Sequence, residues 1–157
     1  MERATQDQFS SSALRNEHFH RYALASRLAR GLVVDCACGI GYGSEMLCGQ
    51  EAVDSYWGID PSDDAIDYAR ANYARPKVEF SIGTLEENPC LESSVDIFLM
   101  FETLEHTVDP DAVLRSVRRC IKPNGLLIGS VPSAEYEALC DQTYGKNPFH
   151  LQRFSKE

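Results

Sequence analysis

The chain has 157 residues, enough for one domain with a sizeable core, and its 43% of hydrophobic residues are spread along the whole length. Its formal charge of −9 at pH 7 repels a phosphate backbone, and no stripe of Lys and Arg interleaved with aromatics offsets it, so no nucleic-acid partner is expected. No long uncharged apolar run is present, and the polar start MERATQDQFSSS lacks the apolar stretch of a secretory signal, so the expectation is a cytoplasmic chain without membrane insertion.

The six cysteines, Cys36, Cys38, Cys48, Cys90, Cys120 and Cys140, have neither a disulfide-framework spacing nor paired Cys-x-x-Cys knuckles. Buried free thiols are expected rather than a structural zinc.

In chain order, HFHRYALASRLAR (18–30) has the spacing of an amphipathic helix with Phe19, Tyr22, Ala23 and Leu28 mostly on one side. GLVVDCA then reads as a first strand ending at Asp35 or Cys36, with a helix beginning near Gly43. SYWGID is a second strand ending at Asp60, and PSDDAIDYARANYA opens a helix with Ser62 as its cap and Asp63 and Asp64 in the first turn, where they complement the helix dipole. KVEFSIG is the third strand. The fourth, VDIFLMF, is almost wholly apolar, as a parallel strand covered on both faces should be. DPDAVLRSVRRCIKPNG has Asp109 at a cap, Pro110 at the first helical position, an inner stripe of Val113, Leu114, Val117 and Ile121, and Gly125 as its stop. LLIGSVP is the fifth strand.

This alternation is that of a parallel α/β sheet, whose ligand crevice lies beyond the carboxyl ends of the strands. Asp35, Asp60 and Glu102 each fall near such an end. The glycines of VVDCACGIGYGS, Gly39, Gly41 and Gly43, let the backbone turn tightly and approach a ligand closely. Both NAD and S-adenosylmethionine sites place a glycine loop after the first strand and a ribose-binding acid after the second, so Asp60 suits either. Asp35 separates them: it repels a pyrophosphate and attracts an ammonium or sulfonium. A local role for Asp35, capping the loop amides, is compatible with the same ligand.

VVDCACGIGYGS, WGIDPSDDAIDYA, VDIFLMFETLEH and IKPNGLLIGSVPS, in that order and spacing, resemble the first five strands of a class I S-adenosylmethionine-dependent methyltransferase. The resemblance implies an α/β, three-layer Rossmann-like fold with parallel strand order 3-2-1-4-5. It implies a single domain over 1–157, with an N-terminal helical lid over about 10–30, a core over about 31–132 and a loop or tail over 133–157. By the same likeness Asp35, Cys36, Ala37, Gly39 and Gly41 surround the methionine moiety, Asp60 holds the ribose hydroxyls, Pro61 flanks the adenine, and Phe101 lies beside the ligand. After the third strand, where many relatives have Gly-Asp, this chain has Gly83-Thr84 before Leu85, so Thr84 is left to accept from the adenine amino group and weaker binding is expected.

HRYALASRLARG and NPFHLQRFS are similar to bacterial methyltransferases associated with glycan or cell-envelope biosynthesis, which points to a small-molecule acceptor such as a sugar or envelope precursor. A cofactor-binding module with little activity is the alternative, because two further strands of the family are missing after the fifth. The exposed fifth strand then invites a homodimer.

In FETLEH, Glu102, Glu105 and His106 stand at i, i+3 and i+4. His106 is the candidate general base, or else a histidine that orders the loop locally; Glu102 is the second candidate, for orienting cofactor or substrate. The pattern is also similar to the magnesium-binding set of some RNA 2′-O-methyltransferases and quinone-pathway methyltransferases. His150, far along the tail and with no second histidine beside His106, does not complete that set, so no metal is expected. His18 and His20 are read as part of the lid. EYEALCDQTYGKNPFH is either a substrate loop or an irregular surface loop.

Overall fold

The computed structural model describes residues 12–87 and 90–156. The polar start through residue 11, with the first two positions of the predicted lid, and the last residue of the predicted tail lie outside them.

Helix α1 (Ser12–Ser26) precedes strand β1 (Gly31–Cys36), α2 (Gly43–Cys48), β2 (Val53–Asp60), α3 (Asp63–Tyr73), β3 (Val78–Ile82), β4 (Val95–Phe101), α4 (Pro110–Cys120), β5 (Ile121–Ser130) and α5 (Ala134–Tyr144). The strands form one sheet in the order β3-β2-β1-β4-β5, with every pairing parallel. Successive residues of a strand point to opposite faces, so Val33 and Val34 feed two separate cores. Val33 packs with Tyr22, Leu47, Tyr56 and Ile66 on the α1–α2–α3 side. Val34 packs with Ile59, Phe98, Val113 and Val117 on the α4 side. Helices therefore cover both faces, and β4 is buried at Ile97, Phe98, Leu99 and Met100 as its apolar run predicts.

The predicted caps form. Ser62 Oγ accepts from the Ala65 amide, and Asp109 Oδ1 accepts from the Ala112 amide at 2.9 Å with Pro110 next in line. Asp109→Ala is expected to cost about 1 kcal/mol of stability, read as a lower urea midpoint with an unchanged slope.

Three local expectations are corrected. Helix α4 stops at Cys120, not at Gly125; Ile121 already pairs with Val95, and Pro123-Asn124-Gly125 forms an irregularity in β5 before Leu126 pairs with Ile97. Ile121 is thus a strand residue. On α1 the inner face is Tyr22 and Ala25, continued by Ala29 after the helix, whereas Phe19, Ala23 and Leu28 are exposed. The stretch after residue 133, expected to be a substrate loop or an irregular surface loop, carries α5, capped by Ser133 Oγ on the Tyr136 amide.

Candidate functional site

β1 and β4, the two neighbouring central strands, are each followed directly by a left-handed residue that is not glycine: Ala37 at φ 62° and Glu102 at φ 50°. Such backbone costs roughly 1–2 kcal/mol per residue and gathers where a site requires it. The sequence carries no mark of either strained position. Between them lies the glycine loop, where Gly39 (φ 55°) and Gly41 (φ 82°) are also left-handed.

Asp60 ties this loop to the end of β2. Its Oδ2 accepts from the Gly39 amide and its Oδ1 from the Ser62 amide, both at 2.9 Å. The Cys38 amide donates to the Ile59 carbonyl at 3.1 Å, so the loop is held to the tip of β2 by both backbone and side chain.

Asp35 is where the sequence places it, but its partners are not loop amides. Its carboxylate is buried, and Oδ2 accepts from Tyr56 at 2.6 Å and from Tyr22 of α1 at 2.8 Å. Burial pushes its pKa up to about 7, against the opposing pull of the two hydroxyls. Tyr22 also meets Phe101 and Tyr42 edge-on, each with ring centroids 5.2 Å apart, and Phe19 and His18 meet Tyr42 further out. The N-terminal helix is therefore fastened over the loop by aromatic packing and a carboxyl latch.

Cys36 and Leu85 are buried in the α4-side core. The Gly83 amide donates to the Asp60 carbonyl, Pro61 is half-buried, and the Thr84 hydroxyl accepts from the Glu87 amide at 3.2 Å, which leaves it further acceptor capacity.

Beyond β4 the candidate acids part company. Glu102 Oε1 accepts from Ser130 Oγ at 2.6 Å and pairs with Arg21 of α1 at 3.3 Å. Glu105 points inward from the 3-10 turn Leu104–His106 and is buried, with Oε2 lacking a hydrogen-bond partner. Burial pushes its pKa up to about 7, to which the charges of Glu102 and Glu137 add and that of His150 is opposed.

The expectation that His150 stays apart from His106 is overturned. The tail folds back, with the Leu151 and Gln152 amides on the Glu105 carbonyl, and the two imidazoles stand 4.9 Å apart, edge to face. His106 Nδ1 lies 2.9 Å from the Phe149 carbonyl, and His150 Nδ1 lies 2.6 Å from Glu137 Oε1. Sequence reasoning missed Glu137, Tyr22, Tyr56 and Arg21; only the fold brings them to these groups.

None of the six cysteines is joined in a disulfide, and among the described residues no helix is long and apolar enough to cross a membrane.

Residues 34–129 match the family model described as a methyltransferase domain. The chain is 30% identical over 135 residues to a probable S-adenosylmethionine-dependent methyltransferase of Mycobacterium tuberculosis, covering 85% of this chain and 47% of the relative. It is 34% identical over 116 residues to a ubiquinone biosynthesis O-methyltransferase of Azorhizobium caulinodans, covering 72% and 45%. The chain thus spans about half the length of the curated relatives it matches. Among solved structures it is similar to a chain from a complex containing the Haloferax volcanii Trm112 methyltransferase activator, with a TM-score of 0.77 at 22% identity over 99% of this chain and 72% of that one. With the sheet order, the glycine loop held by Asp60 and a family match over more than half its length, the chain belongs to the methyltransferase domain family.

Proposed function

We propose that this chain binds S-adenosylmethionine and takes part in methyl transfer to a small-molecule acceptor. The observation that carries the reading is Asp60, whose two carboxylate oxygens join the glycine loop to the start of α3 at the end of β2. The fit is electrostatic as well as geometric. At the strand ends Asp35 is buried on two tyrosines and Glu102 is paired with Arg21, which leaves Asp60 as the carboxylate at the loop, and a β-carbon added at Gly39 would meet no heavy atom within 4 Å. A carboxylate beside a loop with open space above it suits a cationic ligand and disfavours a pyrophosphate.

The bound cofactor supplies a methyl group already activated by a sulfonium. The protein's part is alignment and handling of the acceptor's proton. Asp60 holds the loop and has lone pairs left for ribose hydroxyls; Phe101 and Tyr22 form an apolar wall; α1 closes the site through Tyr22 and Arg21. Proton handling falls to the group around His106. The O-methyltransferase name of one relative supports an oxygen acceptor, and the resemblance of the terminal segments supports a sugar or envelope precursor.

Calorimetric titration tests the reading. S-adenosylmethionine and S-adenosylhomocysteine are expected to bind and NAD to fail, and Asp60→Ala is expected to weaken binding at least about tenfold, or 1.4 kcal/mol. Binding of NAD instead would overturn the cofactor, and binding without methyl release to any acceptor pool would leave a binding module.

A further inference from the structure

Cys90 and Cys120 are distant in the chain and adjacent in the fold. The Cys120 thiol, at the last position of α4, donates to the Cys90 carbonyl at 3.3 Å and to the Ser116 carbonyl at 3.4 Å. The Cys90 thiol is in turn hydrogen-bonded to the Cys120 sulfur. We propose that this pair is a redox modification site, which a small-molecule disulfide such as oxidised glutathione converts to an intramolecular Cys90–Cys120 bridge.

A disulfide tolerates little misplacement of the backbone, so the anchors on either side of Cys90 matter. On one side Leu85 is buried in the α4-side core that also holds Cys120, with Cys90 packed against it. On the other, the Ser93 and Ser94 amides donate to the Arg119 and Cys120 carbonyls, each at 2.9 Å. The segment that carries Cys90 is therefore already fastened to the end of α4, and a cross-link adds to contacts that exist without it. Cys36 lies in the same core and is the competing partner, but it is fixed within β1 at the centre of the sheet. Cys38 and Cys48 belong to the opposite core, and Cys140 stands on α5.

The exchange runs in two displacements. Cys90, the half-buried member, loses its proton, and its sulfur attacks oxidised glutathione to form a mixed disulfide while one glutathione thiolate leaves. Cys120 then loses its proton, and its sulfur displaces the second glutathione from Cys90. Two protein thiols and one small disulfide become one protein disulfide and two glutathione thiols, with two electrons passed from protein to oxidant.

Burial governs both the rate and the durability of the product. It pushes the Cys90 thiol up to about 12, so little nucleophilic thiolate is present near neutral pH and the first displacement is slow. The same burial denies the reduced pair the thiolate stabilisation that makes some disulfides strong oxidants, so the bridge resists reduction once formed. It joins positions 30 residues apart and removes that freedom from the unfolded chain. It also fixes the segment that follows Gly83-Thr84-Leu85. None of this rests on the cofactor reading.

The test treats the full reduced chain with oxidised glutathione and maps its disulfides by peptide mass spectrometry. Loss of two hydrogens, a single Cys90–Cys120 cross-linked peptide, and a rise in Tm of about 5–10 °C reversed by dithiothreitol are expected. The rate of bridging should rise about tenfold per pH unit. Cys90→Ser and Cys120→Ala should each abolish the Tm rise, while Cys36→Ser keeps it. Retention of all thiols after prolonged treatment at alkaline pH, a bridge from Cys90 to Cys36, a lasting glutathione adduct on Cys90, or a mapped bridge with unchanged Tm would overturn the site. The map of the natural chain decides this even where a variant fails to fold.

Discussion

Asp35→Asn is expected to flatten the dependence of thermal stability on pH. In the folded chain the buried Asp35 carboxyl titrates at about 7, against an ordinary value of 3.8. Between those limits the native state binds the extra proton, so the contribution is fully present below about pH 4 and lost as pH rises through about 7. From pH 5 to pH 8 the change is on the order of 2–3 kcal/mol, which for a chain of this size moves Tm by about 5–10 °C. Asparagine stays neutral and keeps a carbonyl oxygen for Tyr22 and Tyr56. Glu105, also raised to about 7, adds a fall of the same sign. It is present in both proteins, so subtracting one profile from the other isolates Asp35. Parallel Tm–pH curves for the two proteins would show that Asp35 is ionised across this range and that its burial does not hold the proton.

The same carboxyl shows what the sequence made legible. Asp35 could be placed at the end of β1 because an apolar run followed by glycines marks a strand and its turn. The three helix starts at Ser62, Asp109 and the loop glycines followed from local chemistry of the same kind, and strand order followed from the resemblance. Contacts between distant segments carry no local signature. Tyr22 and Tyr56 are 34 residues apart in the chain and meet on one oxygen of Asp35. His150 was set aside because it lies 44 residues beyond His106 in the chain, with no second histidine beside His106. Its return depends on Leu151 and Gln152 bonding to the Glu105 backbone, which no periodicity announces. The end of α4 failed for a different reason: Pro123-Asn124-Gly125 is turn chemistry, and it serves as an irregularity inside β5 as readily as a helix stop.

Two alanine substitutions two residues apart should separate the fold from the ligand site. At Gly41 (φ 82°) a β-carbon would lie 2.7 Å from Ala69 Cβ and from the Phe80 ring, both part of the core beneath the loop. Left-handed strain and overpacking add there, and Gly41→Ala is expected to cost about 3 kcal/mol or more, lowering the urea midpoint sharply. At Gly39 (φ 55°) the added carbon meets nothing within 4 Å, so Gly39→Ala carries only the backbone strain, roughly 1–2 kcal/mol. Its methyl would, however, stand in the open space over the loop where the methionine moiety is proposed to lie. A folded Gly39→Ala chain should therefore lose affinity for S-adenosylhomocysteine by at least about tenfold, or 1.4 kcal/mol, in the same calorimetric titration. Undiminished affinity would move the ligand off Gly39, because the space above that residue is the part of the loop that no protein atom fills.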